Sequence, residues 1–324
     1  MKLLIDDTIF DAHKIFQQFG DIQTLAGKEI SKKDVKNCDI LIVRSRTKVD
    51  KELLDGSSVR FVGSAVAGLD HIDLDYLQRN NIEFAHAGGC NANAVAEYVI
   101  GGIANLAKKY HFDYRNKILG IVGVGNVGSI LKEKAEKLGI KVILNDIKNG
   151  DFISFEELLK TSDIISFHTP LDESTFNILN INNFHFVKND CIIFNAARGG
   201  IIEECAWIKH SGIKIVDCWE NEPDINQELL KMAELATPHI AGHSIDAKFM
   251  GSYMIYQQLC DFLRIEKNTH KIEFDHKIKI SDNFLTFINQ VYDFKTDDKV
   301  LRSGNFEDYR RFYPKRFEWH NYKK

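Results

Sequence analysis

Several things are scarce in this 324-residue chain, and each scarcity excludes something. There is no long apolar run. The longest, AVAEYVIGGIANLA (94–107), carries Glu97 and is too short to span a bilayer. The opening MKLLIDD has a lysine at position 2 and aspartates at 6 and 7, so no apolar signal-peptide core is expected. The six cysteines (38, 90, 191, 205, 218, 260) show no C-x-x-C and no framework spacing. That scatter fits reduced thiols in a cytoplasm, not a disulfide scaffold, and no metal site is expected. A formal charge of −4 gives no bias toward nucleic acid or a membrane. No internal repeat and no low-complexity tract is visible. What remains is an ordinary soluble composition, 44% hydrophobic and 27% charged, long enough for two domains.

Strand-like and helix-like pieces alternate. KLLID (2–6), DILIVRS (39–45), RFVGSAV (60–66) and IEFAHA (82–87) read as strands, with helical patterns at 10–20 and 72–80. A long helix over 91–110 is apolar on most sides and is expected to be buried between two bodies. A second series follows, with strands at 117–123, 141–146, 163–167, 191–197 and 213–219. These Ile/Val-rich runs are what a sheet covered on both faces needs. A last long helix spans 244–265, and beyond about 268 the composition turns charged and aromatic. Strands alternating with helices predict parallel sheets.

The stretch ILGIVGVGNVGSILKEKAEKLG holds Gly123-x-Gly125-x-x-Gly128. The motif alone is weak, but its context is specific. An apolar strand leads into Gly123, and an amphipathic helix follows. Asp146 ends the next strand, 18 residues past Gly128. The first glycine permits the tight turn, the second lets backbone approach a pyrophosphate, and the third lets helix pack on strand. The free N–H groups at the helix start favour phosphate. Asp146 can accept hydrogen bonds from a ribose diol and would repel a 2′-phosphate, so NAD is expected over NADP. Asn126 and Val127, inside the loop, join the expected cofactor contacts.

Ligands of an open parallel sheet lie beyond the carboxyl ends of its strands. Those ends carry His168-Thr169-Pro170, Ala196-Ala197-Arg198, Glu222-Pro223 and Pro238-His239. Of only four prolines, three stop elements at these points. Hydride transfer between a nicotinamide and a carbinol carbon needs a group that moves a proton, and histidine suits it. A carboxylate on the far ring nitrogen fixes the tautomer. An arginine can hold a substrate carboxylate. Arg198, Glu222 and His239 therefore form the expected catalytic set. Each also has an ordinary reading, as a helix start, a solvated turn or a loop histidine, and only their occurrence together at strand ends favours chemistry. His239 and His243, four apart, lack the helix and third ligand of a zinc motif.

With VRSRTKV (43–49), FVGSAVAGLDHID (61–73), GCNANAVAEYV (89–99), GIVGVGNVGS (120–129), FHTPL (167–171), NAARG (195–199), DCWENEPDIN (217–226) and PHIAGHS (238–244), the chain resembles the D-isomer-specific 2-hydroxyacid dehydrogenases. It is closer to a branch that acts on a phosphorylated hydroxy acid. The resemblance implies His239 as proton carrier, with Arg198 and Glu222 in the roles above. It implies cofactor contacts at Asp146, Thr169, Asp217 and Gly242, beside Ala196 and Ala197. Ser45, Val66, Ala67, Gly68 and His243 fall at substrate positions. Val66 stands where a threonine is usual and His243 where a tyrosine is usual. Arg44, Arg46 and Lys48 would share one face if their strand continued, and one or more of them is expected to grip the phosphate.

The expected architecture is two doubly wound α/β domains around a cleft: a flavodoxin-like substrate domain (1–91, completed by the helix at 245–268) and a Rossmann NAD domain (92–244). The long helix at 91–110 is expected near a hinge that closes over substrate. A small α+β module (269–324) is expected to dimerise, in shortened form. Its tail, 306–324, carries seven aromatics among six Lys/Arg, which suits an interface more than nucleic-acid stacking. The function expected is NAD-dependent oxidation of a small phosphorylated hydroxy acid by a cytoplasmic homodimer. Alternatives are another 2-hydroxyacid dehydrogenase activity, or an NADH-sensing binding protein without turnover.

Overall fold

The apolar runs become strands of two parallel sheets. The structure, a computed structural model, describes residues 1–148, 150–272 and 283–322. The chain forms two units, Met1–Asn91 with Ser244–His276, and Ala92–His243 with Lys277–Lys324.

In the first unit β1 (Lys2–Asp6), β2 (Asp21–Leu25), β3 (Ile40–Val43), β4 (Phe61–Ser64) and β5 (Glu83–His86) pair in the order β2-β1-β3-β4-β5. All neighbours are parallel, so their carboxyl ends share one edge, and the order reverses between β1 and β3. This is the flavodoxin-like order. The helix Ile245–Leu263 returns to this sheet. Ile255, Tyr256 and Leu259 on it pack with Leu3, Ile5 and Phe61. Ser244 starts it, its Oγ accepting from Ala247 N at 2.9 Å.

In the second unit β6 (Ile118–Val122), β7 (Lys141–Asn145), β8 (Ile164–Phe167), β9 (Ile192–Asn195), β10 (Ile213–Val216) and β11 (Leu235–Ala236) pair in the order β11-β10-β9-β8-β6-β7. Every pair is again parallel, and the order reverses between β6 and β8. The strands are buried from β8 through β10, as their Ile/Val runs require.

The helix Ala92–Tyr110 has several apolar sides, and they are taken up inside the second unit. It packs on the helix Asn126–Lys137 and on Phe284–Val291. The C-terminal helices Phe284–Val291, Phe294–Arg302 and Glu307–Arg311 thus join this unit, where the sequence suggests a module of their own. The reason is packing: Ile288, Val291, Tyr292 and Phe294 enter the same core as Tyr98, Val99 and Ile103. Tyr98 meets Phe294 edge-on at 5.3 Å, and Tyr292 stacks on Phe294 at 5.0 Å. The described residues 283–322 contain no strand; residues 273–282 and 323–324 of the expected α+β module lie outside the described ones. Among the described residues no helix is long and apolar enough to cross a membrane. All six cysteines are free thiols, with Cys38, Cys191, Cys218 and Cys260 buried, Cys90 half-buried and Cys205 exposed.

Glu97 ties the tail to this core. Its buried carboxylate accepts from Trp319 N at 3.1 Å, from Asn93 Nδ2 at 2.9 Å and from Lys134 Nζ at 3.3 Å. Burial pushes its carboxyl up to about 7 against the opposing pull of Lys134; Glu318 adds to the rise, and Trp319 N–H and Arg316 oppose it. A raised carboxyl favours the protonated folded state, so stability is lost as pH climbs from the ordinary carboxylate range to about 7. Burial likewise raises Asp297, to about 6. Melting curves at pH 5 and 7.5 should show a loss that Glu97→Gln reduces by roughly 1–3 kcal/mol. An identical pH response in the variant would contradict this account of Glu97.

Candidate active site

The catalytic candidates sit on turns that leave the carboxyl ends of β9, β10 and β11. Asn195 ends β9, and its Nδ2 donates to Arg198 O at 2.9 Å and to Cys218 O at 3.3 Å, joining the β9 and β10 turns. Arg198 is half-buried, with Nη1 donating to Ala197 O at 2.8 Å. Ala196 and Ala197 beside it are buried.

Beyond β10 the chain turns sharply, with Asn221 in the left-handed region (φ 55°). That turn swings Glu222 back so that its Oε1 accepts from Trp219 N at 3.0 Å. His239 is also left-handed (φ 55°). Its Nδ1 lies 2.9 Å from Glu222 Oε2 and 3.1 Å from Oε1. An ionised carboxylate can only accept, so Nδ1 carries the proton and Nε2 is left as the nitrogen able to exchange one. Burial works against ionising Glu222, but His239, the Trp219 N–H and Arg310 outweigh it and hold the carboxyl below its usual range. Arg310, from the C-terminal segment, places Nη1 3.9 Å from Glu222 Oε2.

Asp217, expected at the cofactor, has its buried carboxylate committed to the His239 loop. Oδ1 accepts from Thr237 Oγ1 at 2.6 Å and Ile240 N at 2.8 Å, and Oδ2 from Ala241 N at 3.1 Å. Its backbone oxygen takes His239 N at 2.8 Å. Tail residues brace the same loop from outside. Tyr292 Oη donates to Ala241 O at 2.8 Å, and Arg316 donates to His243 O at 2.9 Å and Ala241 O at 3.1 Å. The His243 ring meets Tyr313 edge-on at 5.8 Å. None of these braces is marked by a motif; an arginine- and aromatic-rich tail is the only trace they leave in the sequence.

The glycine loop fits a dinucleotide. Gly123 has φ +89°, and a Cβ there would meet His168 O at 2.8 Å, so only glycine lets the β6 and β8 turns come together. A Cβ on Gly128 would strike Gly123 O at 2.1 Å, whereas one at Gly125 would point into open space, where a ligand's pyrophosphate needs access. Asn126 and Val127 open the helix Asn126–Lys137. The Thr169 hydroxyl, at the end of β8, is buried with no protein partner among the described residues, as a group awaiting a ligand would be. Asp146 is half-held by the loop: Oδ2 accepts from Val124 N at 2.6 Å and Oδ1 from Lys148 N at 2.9 Å. Burial would raise its carboxyl, but these N–H groups and the Lys148 charge keep it lowered, hence ionised.

The expected substrate residues follow β3 and β4 in the first unit. The strand stops at Val43, and Thr47 N donates back to Arg44 O at 3.3 Å. The alternation that would align Arg44, Arg46 and Lys48 is therefore broken by a turn. Lys48 pairs with Asp50 at 2.8 Å. Arg44 and Arg46 are half-buried, Ser45 is exposed, and Val66, Ala67 and Gly68 form the half-buried loop after β4. Gly242 and His243 close the His239 loop in the second unit. Cys218 is a further neighbour of the pair: its Sγ and one ligand atom each of Glu222 and His239 lie within 4.8 Å of one another.

A glycine loop with an acidic partner, and an imidazole–carboxylate pair beside an arginine, define an NAD-dependent dehydrogenase of hydroxy acids. The family model for the D-isomer specific 2-hydroxyacid dehydrogenase NAD binding domain matches residues 92–241. The fold is shared with the NAD⁺-bound 3-phosphoglycerate dehydrogenase of Entamoeba histolytica (TM-score 0.71, 27% identity, 82% of this chain and 95% of that one). Over its whole length the chain is 49% identical to the erythronate-4-phosphate dehydrogenase of Ruthia magnifica, covering 98% of that protein. It is 43% identical to that of Hydrogenovibrio crunogenus, over 98% of this chain and 92% of the relative. The chain belongs to the erythronate-4-phosphate dehydrogenase family.

Two outcomes follow from the geometry. Asp146→Ser should shift the NADP-to-NAD ratio of kcat/KM upward by about tenfold or more, because it removes a charge that repels a 2′-phosphate; an unchanged ratio would contradict the role given to Asp146. Arg310→Met should lower kcat by about tenfold and move the acid limb of the rate profile to higher pH, with Arg310→Lys largely restoring both. A loss of activity with the acid limb unmoved would make Arg310 merely structural.

Proposed function

We propose that the chain oxidises the C2 hydroxyl of 4-phospho-D-erythronate, giving 2-oxo-3-hydroxy-4-phosphobutanoate, with NAD as acceptor, in the formation of pyridoxal 5′-phosphate. The observation that carries this reading is the Glu222–His239 pair, Nδ1 to Oε2 at 2.9 Å, in a chain so close to proteins of that name over its full length. Bound NAD supplies the hydride acceptor. His239 Nε2 takes the hydroxyl proton as the C2–H bond breaks, and Glu222 holds the ring so that this nitrogen is the unprotonated one. Arg198 suits the substrate carboxylate, which a planar guanidinium grips in two places. Arg44 and Arg46 suit the phosphate. Val66 can offer its backbone N–H but no hydroxyl, and His243 keeps a ring with a donor. We read the enzyme as a cytoplasmic homodimer; Phe312, 73% exposed in the aromatic- and arginine-rich tail, supports an interface there.

NAD reduction with 4-phosphoerythronate, erythronate and 3-phosphoglycerate tests the substrate. The phosphorylated four-carbon acid should have the highest kcat/KM, and His239→Asn should lower its turnover by about 100- to 10,000-fold. Preference for another acid overturns the substrate; full activity of the variant overturns the mechanism. Replacing Arg44 and Arg46 with alanine should raise KM for 4-phosphoerythronate far more than for erythronate, and equal effects would remove both from the phosphate.

A further inference from the structure

The helix Ile245–Leu263 brings a lysine to the edge of the first sheet where Arg44 lies, and no residue role given so far uses it. Three contacts fix the place. Ala65 N donates to Val43 O at 2.9 Å, so the start of the β4 loop lies directly beside the residue that precedes Arg44. Gly251 presses on that loop, since a Cβ there would come within 2.5 Å of Ala65 O. Lys248 is three residues before Gly251, on the same helical face, and its backbone oxygen accepts from the buried Ser252 Oγ at 3.2 Å. Arg44 reaches across in turn, with Nη1 3.4 Å from Thr8 O on the turn after β1. Arg44 therefore stands over the β1/β3 reversal, the point where a sheet of this order takes its ligand, and the helical turn that carries Lys248 lies beside the neighbouring loop after β4.

Lys248 is half-buried, and among the described residues its ammonium has no hydrogen-bond acceptor and no carboxylate beside it. Burial lowers its titration, and the nearby Arg44 charge lowers it further. Two like charges brought together with one half-desolvated and unpaired is an unfavourable arrangement by itself, and an anion between them reverses its sign. A dianion does so better than a monoanion, and the substrate carboxylate already has a guanidinium in Arg198.

We infer that Lys248 and Arg44 together form the binding site for the phosphomonoester of the substrate, with Lys248 as the residue that makes the site selective for the phosphorylated acid. This rests on the reading that the substrate is a phosphorylated hydroxy acid. The test has two arms. In the first, Lys248→Met should raise KM for 4-phosphoerythronate by about 10- to 100-fold, at least ten times more than it raises KM for erythronate, with Lys248→Arg recovering most of the loss. Equal rises for the two acids would overturn the inference. In the second, calorimetry follows inorganic phosphate binding to the NAD-saturated enzyme, without turnover. Binding weakened at least about tenfold by Lys248→Met supports the site even if 4-phosphoerythronate proves not to be the substrate. Undiminished binding, or none by the unaltered protein, overturns it. Unchanged melting temperatures for both variants separate lost binding from lost folding.

Discussion

A buried aspartate holds the His239 loop in shape. Asp217 is 1% exposed, and a carboxylate taken that far from water costs several kcal/mol unless its oxygens are satisfied. Here a threonine hydroxyl and two backbone N–H groups supply three bonds, each worth about 1.5–3 kcal/mol to a charged acceptor, which recover part of that cost. Burial still pushes its carboxyl upward, with His239 the strongest opposing influence. All three donors belong to residues 237–241, so the same bonds that satisfy Asp217 dictate the path of the loop. That path includes the left-handed backbone of His239, which a non-glycine residue adopts only when its surroundings insist. The imidazole then meets Glu222, itself pinned by Trp219 N.

The C-terminal segment braces the same loop from the other side. Tyr292 and Arg316 hold the carbonyls of the same loop that Asp217 holds by its N–H groups. The Arg316 guanidinium lies over the Tyr292 ring, 3.7 Å from its centroid, so the two braces also support each other. Arg310 adds a positive charge beside Glu222. Asp297 orders this segment by accepting from Tyr309 Oη at 2.7 Å and Tyr313 Oη at 2.9 Å. A segment rich in charge and aromatics, which reads as an interface from composition, spends much of that content inside its own unit.

The parts of the fold that were legible in the sequence are those where burial forces composition. β3, β4, β8 and β9 are buried throughout, and β1, β6 and β10 at all but their first residue, and each shows as an apolar run. The edge strand β7 is only half-buried beyond its exposed Lys141, and KVILN still reads as a strand. β2 escaped because its side chains are mostly exposed, so DIQTL has neither an apolar run nor alternation. β11 is two residues long, too short for any period. At the site, residue types at strand ends pointed to Glu222 and His239, and the structure joins them. Asp217 was visible only as a possible cofactor contact, because a sequence does not say which way a carboxylate turns. Arg310 and Lys248 were invisible for a related reason: each reaches its place from a helix far along the chain, by packing that no local pattern encodes.

The central claim is that Glu222 keeps the proton of His239 on Nδ1 and leaves Nε2 free for the substrate. Nitrogen-15 NMR of histidine-labelled enzyme with NAD bound reads the tautomer directly. The account predicts His239 protonated at Nδ1 in the resting enzyme, with that preference lost in Glu222→Ala while the remaining histidine signals stay in place. A resting His239 carrying its proton on Nε2, or a tautomer indifferent to the loss of Glu222, would contradict it.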